Sequence, residues 1–416
     1  MPDRPPAPDH VDRFVERATL PITLLVQAAA SAAIVAPAVA SGSLPVAQRL
    51  GPVAVGVFIA IVYAAAMLSS QWAVAMVRRW GPIRTSQLAL AVCAAGLPLT
   101  VLPHPVAAVA GALLLGLGYG PITPASSEML ARTTPPHRFA LVFSLKQTGV
   151  PLGGAIAGLT VPAVLVLAGP AWALGQIALL CLAGSALAAL LRRRIDAYRQ
   201  ADAPLPTLAG VLVPIRFVLA DPLLRRIALC TLALSGAQLS LGTYAVAWLN
   251  LDLHWSLVAA GLGLTVAQVS GMAGRIAWGM LADRLHDGAR RVLRLLCVAA
   301  LACGAVAALV GPRTAQLPVL VLLAAYGATA IGWNGVYLAM VARAVPRPQA
   351  AMATGGSLFF TYLGVVLAPP LFGAVAHFSG SLGLSFGLLA LPLAVGAWLL
   401  RPPPAAPASI SQGRFP

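Results

Sequence analysis

Long apolar runs separated by short polar connections fill almost the whole chain. A helix that crosses the hydrocarbon core of a bilayer needs about 20 mainly apolar residues, so the runs predict membrane-spanning segments. In the first half of the chain they are 19–41, 52–77, 86–102, 105–127, 139–168 and 171–191. In the second half they are 227–249, 256–282, 292–311, 317–342, 350–376 and 381–400. Backbone groups in lipid must pair within their own segment, so these runs predict twelve helices.

The composition agrees with a membrane protein and excludes several other classes. Apolar residues make up 59% of the chain and charged residues only 9%, whereas soluble domains carry about 25% charged residues. A soluble enzyme and a disordered chain are therefore not expected. Transmembrane barrels have strands in which apolar and polar residues alternate, and the unbroken apolar runs argue against that pattern.

The formal net charge of +16 raises the question of nucleic-acid binding. When the connections are assigned to alternate sides of the membrane, 23 arginines fall on one side and only Arg49 and Arg313 on the other. The positive-inside rule then predicts a multi-pass protein of the plasma membrane, in bacteria the inner membrane, with both termini cytoplasmic. The basic residues thus indicate topology, and no nucleic-acid partner is expected.

The two halves of the chain resemble each other at an offset of about 211 residues. The stretch 129–132 reads Met-Leu-Ala-Arg and 340–343 reads Met-Val-Ala-Arg, and Gln27 corresponds to Gln238. We expect an N-terminal six-helix bundle and a C-terminal one, with a substrate site between them near the bilayer midplane. The predicted divisions are a cytoplasmic tail at 1–18, bundles at 19–191 and 227–400, a cytoplasmic central loop at 192–226 and a second cytoplasmic tail at 401–416.

The connection after the eighth segment carries the most specific motif. It reads Gly279-Met280-Leu281-Ala282-Asp283-Arg284-Leu285, followed by Gly288-Ala289-Arg290-Arg291. Apart from two inserted residues and a displaced basic pair, this resembles the loop motif Gly-x-Leu-Ala-Asp-Arg-x-Gly-Arg-Arg of the major facilitator superfamily of secondary transporters. In the matching connection after the second segment, Arg78 occupies the acidic position.

The resemblance implies an all-α membrane protein of two pseudo-symmetric six-helix bundles that works by alternating access. In the family the motif acid helps to hold the cytoplasmic side closed. The resemblance therefore implies a cytoplasmic gate, and an Asp at this helix end could pair with a nearby Arg. The candidate gate residues are Asp283, Arg284, Arg343 and Gly279.

Charged residues inside the predicted segments are few and all positive. The acidic residues fall in tails, connections and helix ends, whereas Lys146 and Arg275 lie within segments 5 and 8. In the superfamily these segments face each other, and at about 1.5 Å per residue each cation lies ~10 Å from the cytoplasmic boundary. Gln268 lies two helical turns before Arg275 and so on the same face. Together they could hold an anion, since Arg offers a planar fork and Lys a point charge.

Snorkelling toward the interface, or pairing with Glu128, is the alternative for these two cations. A second resemblance favours substrate binding. Oxalate–formate antiporters, monocarboxylate carriers and nitrate/nitrite porters have a helix-8 arginine about where Arg275 stands, and in that resemblance it contacts the anionic substrate. The partner arginine of the nitrate porters corresponds to Ser70 here, which argues against nitrate.

Amides in the predicted spans are further candidates. A Gln side chain facing lipid is costly, so Gln27 and Gln238 should face inward, where they and Asn334 could contact substrate or pack between helices. Trp333, Tyr337, Tyr119 and Tyr244 are weaker candidates of the same kind.

We therefore predict a secondary transporter, most simply a monomer in the lipid bilayer, that moves a small organic anion such as a carboxylate by exchange or with protons. The alternative is an exporter of neutral or drug-like hydrophobic compounds. No catalytic cluster, nucleotide loop or metal-ligand spacing is present in the sequence. We accordingly expect no enzyme activity, no cofactor and no metal.

Overall fold

The structure, a computed structural model, describes residues 13–133, 142, 145–199, 212–345 and 350–401, and this part of the chain is helical without strands. The helices of the first half are α1 (Arg13–Val39), α2 (Pro45–Leu50), α3 (Pro52–Trp80), α4 (Pro82–Leu99), α5 (Pro105–Tyr119), α6 (Ile122–Thr133), α7 (Gly149–Ala168) and α8 (Pro170–Ile195). Those that follow are α9 (Leu212–Ala220), α10 (Pro222–Ala247), α11 (Leu257–Arg284), α12 (Gly288–Ala307), α13 (Gln316–Ala330), α14 (Asn334–Ala344), α15 (Ala350–Ser379), α16 (Leu382–Leu388) and α17 (Ala390–Leu399).

Ten helical stretches of the described residues are long and apolar enough to cross a membrane. The other two predicted segments are present as α4 and α12, whose first turns carry polar or basic residues such as Arg84 and Arg290. The all-α prediction is confirmed, and the helices are consistent with twelve segments.

The fourth and tenth segments, predicted as continuous helices, are both interrupted. α5 ends at Tyr119 and α6 begins at Ile122, on either side of Pro121, which has no backbone N–H. In the second half α13 ends at Ala330 and α14 begins at Asn334. The two interruptions correspond at the 211-residue offset. They matter for function because an interrupted helix releases carbonyl groups from its regular hydrogen bonds.

Two smaller differences from the predicted segments occur at helix ends. Segment 5 contains a short helical turn at 145–147 and a turn at Thr148 before α7 begins, so Lys146 precedes the long helix. Segment 12 is divided at Leu389 into α16 and α17. The central connection contains a 3₁₀ turn, Asp196–Tyr198, and the helix α9.

Two long helix pairs join the halves of the molecule: α3 packs along α15, and α7 along α11. Gly158 in α7 and Gly261 in α11 face each other, and a Cβ atom on either would meet the backbone of its partner. Small residues allow this close approach of two helices in a membrane.

The membrane face with the arginine clusters is here termed the basic face, and the face that carries Arg49 and Arg313 is termed the opposite face. Tyr244 lies where the two halves meet at the opposite face. The Tyr244 hydroxyl is 2.8 Å from the carbonyl oxygen of Pro52 in α3 and 2.9 Å from that of Pro369 in α15. Its ring stacks on Phe372 with ring centroids 4.4 Å apart. Tyr244 therefore ties α10 to both helices of one inter-half contact.

At the basic face, Asp196 caps the start of α4. Its carboxylate accepts hydrogen bonds from the backbone N–H groups of Ile83, at 2.9 Å, and Arg84, at 3.0 Å. Burial raises the pKa of this carboxyl group, while the two backbone bonds and the neighbouring arginines lower it. Gly81, with φ of +89°, has no room for a Cβ beside Asp196. The first-half connection that lacks an acid at the motif position thus receives one from the end of α8.

Candidate substrate-binding site

Arg275 lies between the two halves at the interruption of the tenth segment. Its Nε donates a 3.2 Å hydrogen bond to the carbonyl oxygen of Ile331, and its Nη1 donates a 2.8 Å bond to that of Gln147. The first acceptor belongs to the C-terminal half and the second lies next to Lys146. A guanidinium has five N–H donors, and the other N–H groups of Arg275 have no acceptor among the described residues.

Lys146 is almost completely buried, with 1% of its surface exposed. Its Nζ donates one long bond, 3.4 Å, to the carbonyl oxygen of Thr123 in α6. The ion pairs between described residues, Arg290–Asp287 and Arg343–Asp283, involve neither Lys146 nor Arg275. A buried charge without a partner is costly, so this arrangement would favour an incoming anion.

The glutamine pair follows the internal repeat. Gln27 Oε1 accepts a 3.1 Å hydrogen bond from the Thr123 hydroxyl, and Gln238 Oε1 accepts a 3.2 Å bond from Asn334 Nδ2. Thr123 and Asn334 are separated by the same 211 residues as the glutamines. Trp333 Nε1 also donates to Gln238 Oε1 at 3.0 Å. Packing between helices therefore occupies both amide oxygens, while Gln27 Nε2 is buried without a hydrogen-bond partner among the described residues.

Gln268 lies against the other half of the molecule. A Cβ atom added to Gly154 in α7 would touch the amide of Gln268, which is 7% exposed. This amide makes no hydrogen bond to another described residue. The structure thus brings Lys146, Arg275, Gln268 and Gln27 to the α7–α11 contact and the adjoining helices. Gln238 and Asn334 contact each other within the C-terminal half.

Tyr119, one of the weaker candidates from the sequence, lies near Arg275, and two tyrosines that the sequence did not indicate, Tyr63 and Tyr362, lie beside it. Tyr119 is close enough to Arg275 for a direct electrostatic interaction. Its ring packs edge to face on Tyr63 at 5.9 Å, and Tyr362 interacts with both phenols. Tyr63 lies in α3 and Tyr362 in α15, the helices that join the halves. A phenol within an apolar run was the available signal, but nothing along the chain linked these residues to Arg275.

The candidate gate residues lie together at the basic face. Arg343 Nη2 is 3.1 Å from Asp283 Oδ1, and the side chains are 64% and 72% exposed. Both belong to the C-terminal half, so the pair does not itself join the halves. Arg284 is exposed in the last turn of α11, and the space beside Gly279 would admit a side chain.

Replacing Asp283 with Asn should leave stability nearly unchanged but slow transport. An exposed ion pair contributes about 0–1 kcal/mol to stability, so the melting temperature in detergent should fall by no more than a few degrees. Transport by proteoliposomes should fall several-fold if the carboxylate helps to hold the basic face closed. Asp287→Asn, which removes the neighbouring ion pair with Arg290, is the control. Equal transport by wild type and Asp283→Asn would exclude the gate role.

Comparisons with known proteins show the family of this chain. The sequence profile of the Major Facilitator Superfamily matches residues 22–355. The chain therefore belongs to this superfamily, as the loop motif after α11 predicted. An uncharacterised MFS-type transporter of Mycobacterium tuberculosis (strain CDC 1551 / Oshkosh) is 28% identical over 280 residues, which are 62% of this chain and 56% of that protein. The chain thus spans little more than half the length of this curated relative.

Solved structures show the same fold at low sequence identity. A bacterial homologue of the human lysosomal transporter Spinster, in an inward-facing and occupied conformation, has a TM-score of 0.71 at 14% identity; the match covers 94% of this chain and 97% of that one. A D-xylose–proton symporter has a TM-score of 0.68 at 15% identity, with 94% and 98% covered. At these identities the likeness concerns the fold alone.

Proposed function

We propose that this protein is a secondary transporter that binds a small organic anion, such as a carboxylate, between its two halves. The observation that carries the proposal is the pair Lys146 and Arg275. Both lie at the contact between the halves, and the ion pairs formed by Asp283 and Asp287 involve neither. Positively charged side chains within a membrane usually pair with another group or mark a substrate path.

The chemistry of the two side chains suits a carboxylate. The free N–H groups of Arg275 can form two parallel bonds to it, and the ammonium group of Lys146 supplies a second charge. The Nζ–Thr123 bond is longer than the usual 2.7–3.2 Å for N–H···O bonds, so an anion would replace a weak contact. Gln268 and the buried amide nitrogen of Gln27 are the candidate neutral donors.

Arg275 also suggests how binding would be linked to movement. Its bond to Gln147 crosses from one half to the other, whereas its bond to Ile331 stays within one half. In alternating access the first bond must break when the halves separate at this point. An anion bound by both cations would compensate the positive charges of Lys146 and Arg275 during that movement. Transport would then occur as exchange of one anion for another or as co-transport of an anion with a proton.

The setting of the protein is proposed on the same basis. The positive-inside rule favours a cytoplasmic location for the basic face with its arginine clusters, and the Ala- and Arg-rich composition favours a bacterial inner membrane. The two bundles enclose the candidate site within one chain, so a monomer is sufficient for function. Neither an enzyme activity nor a cofactor enters the proposal.

The test is ligand-induced thermal stabilisation of the purified protein in detergent. The panel holds small mono- and dicarboxylates, inorganic anions, sugars, amino acids and lipophilic compounds. One class of carboxylate should raise the melting temperature of the wild type and of Arg291→Ala, whose exposed arginine lies at the basic face outside the site, but not of Arg275→Ala. Stabilisation by neutral or cationic compounds that persists in Arg275→Ala would overturn the proposal in favour of export of hydrophobic compounds.

A further inference from the structure

A cavity of about 140 Å³ lies in the N-terminal half at the opposite face, and none of the candidate substrate-binding residues lines it. Its walls come from the end of α1, the short helix α2, and the first turns of α3 and α5. The lining is almost entirely apolar and includes Pro37, Leu44, Leu50, Phe58, Ile61 and Val109. A cavity needs roughly 10–15 Å³ of such volume, and also polar partners, to hold a single water. The cavity therefore has space for several methylene groups and little to hold water.

The cavity is open toward the side of the bundle. Leu50 is 56% exposed, and Val57 and Val109 are each 43% exposed. These residues stand on α2, α3 and α5 at the rim of the cavity. In a membrane-spanning bundle an apolar, laterally open rim faces acyl chains, because no aqueous solvent is present at that depth.

Arg49 stands at the rim. It lies on α2 between the cavity residues Ala47 and Leu50, and its Nη1 donates a 3.4 Å hydrogen bond to the carbonyl oxygen of Pro103, just before α5. No described carboxylate forms an ion pair with it. It is one of only two arginines that the sequence places on this face, against the topological preference for the other side. An exposed guanidinium above an apolar cavity has the charge and geometry that suit a phosphate diester above an acyl chain.

We propose that this cavity binds one anionic phospholipid of the leaflet at the opposite face, with its phosphate on Arg49 and part of an acyl chain between α2, α3 and α5. The lipid would brace α2 against α3. Because α3 contacts Tyr244 through Pro52, a lipid here would lie beside the inter-half contact described above. This lipid site shares no residue with the candidate substrate-binding site.

Native mass spectrometry of the detergent-purified protein tests this inference, with phosphatidylglycerol and phosphatidylcholine of identical acyl chains as probes. The wild type should bind one phosphatidylglycerol more tightly than phosphatidylcholine. Because one basic residue near anionic lipid changes affinity about fivefold, Arg49→Ala should lose about that factor for phosphatidylglycerol, and Arg49→Lys should retain most of the binding. Arg313→Ala, the matched variant on the same face, should bind like the wild type.

Ala54→Phe tests the contribution of the acyl chain to binding separately from that of the headgroup. Ala54 lines the cavity, so the larger side chain should reduce binding of both lipids while Arg49 remains. Equal losses in Arg49→Ala and Arg313→Ala would overturn the proposed site, as would undiminished binding in Ala54→Phe. Equal binding of the two lipids by the wild type would overturn the preference for an anionic lipid, and unchanged phosphatidylglycerol binding in Arg49→Ala would overturn the contact between Arg49 and the phosphate.

Discussion

Methionine in place of Lys146 should raise the melting temperature of the unliganded protein and abolish its response to the anion. The side chain is buried and makes one 3.4 Å bond to a carbonyl oxygen. A buried charge without an ion-pair partner is costly, and even complete buried ion pairs can be replaced by apolar side chains of similar volume with a gain of about 1–4 kcal/mol. Methionine has nearly the length of lysine and can fill the same space.

The two possible roles of Lys146, substrate binding and helix packing, predict changes of opposite sign in the melting temperature of Lys146→Met. If the ammonium group waits for a substrate, stability without ligand rises while anion-dependent stabilisation and transport fall by at least tenfold, equivalent to about 1.4 kcal/mol of binding free energy. If the lysine instead holds α6 against the start of α7 through Thr123, the methionine variant loses stability and keeps its anion response.

Lys146→Arg serves as the matched control, because it keeps the charge. It should retain a measurable anion response, with altered affinity since a guanidinium is larger and planar. The measurement is the melting temperature of wild type and both variants, with and without the stabilising carboxylate, together with counterflow in proteoliposomes. A lower melting temperature for Lys146→Met with an intact anion response would contradict the proposed role.

The sequence indicated the helical class and the inward placement of the cations for a simple reason. Apolar length and the distribution of arginine are properties of the chain itself. A lysine among apolar residues is costly in lipid and must be placed inside, so Lys146 and Arg275 could be singled out without coordinates. The internal repeat similarly related Gln27 to Gln238, and the structure gives each the same kind of neighbour, Thr123 or Asn334.

Contacts formed by backbone carbonyls could not be predicted in this way. Arg275 donates to Ile331 and Gln147, and Tyr244 to Pro52 and Pro369. Any residue type can supply a carbonyl oxygen, so the side chains at those positions carry no signal. The interruption before α14 has the same character: no proline marks it, yet it supplies the acceptor for Arg275.

Asp196, the acid beside the first-half loop, is a side-chain contact that could likewise not be predicted from the sequence. The motif comparison pointed to Arg78, where an acid was missing, and left the N-terminal half without one. Asp196 reaches this place from the end of α8, more than a hundred residues along the chain. Only the packing of α4 against α8 brings the two together.

Removal of the Tyr244 hydroxyl should open the contact between the halves at the opposite face. A phenol has one proton, so it is shared between the carbonyl oxygens of Pro52 and Pro369, which lie on helices of different halves. In Tyr244→Phe the ring can keep its stacking on Phe372 while the link to both carbonyls is lost. A net hydrogen bond contributes about 1 kcal/mol, so the population open at this face should rise about fivefold.

Spin labels on exposed residues of the two halves can measure this population. Gln48 on α2 and Gln316 at the start of α13 are exposed, and the natural cysteines are all buried, so labels can be directed to Cys introduced at these two sites. Distance distributions by double electron–electron resonance should gain a longer component in Tyr244→Phe. The carboxylate that stabilises the wild type should shift the distribution by a similar amount in both proteins if the substrate site is intact.

Tyr326→Phe is the matched control for this experiment. Its hydroxyl is buried in the C-terminal half and has no hydrogen-bond partner in the part of the chain that the structure describes, and its ring packs on Phe386 within that half. The substitution removes the same atom but no link between the halves, so the distance distribution should stay that of the wild type. An equal change in both variants would mean that loss of a buried hydroxyl, rather than the bonds of Tyr244, alters the conformational equilibrium. An unchanged distribution in Tyr244→Phe would show that the glycine-lined contacts of α3 with α15 and of α7 with α11 keep this face closed by packing alone.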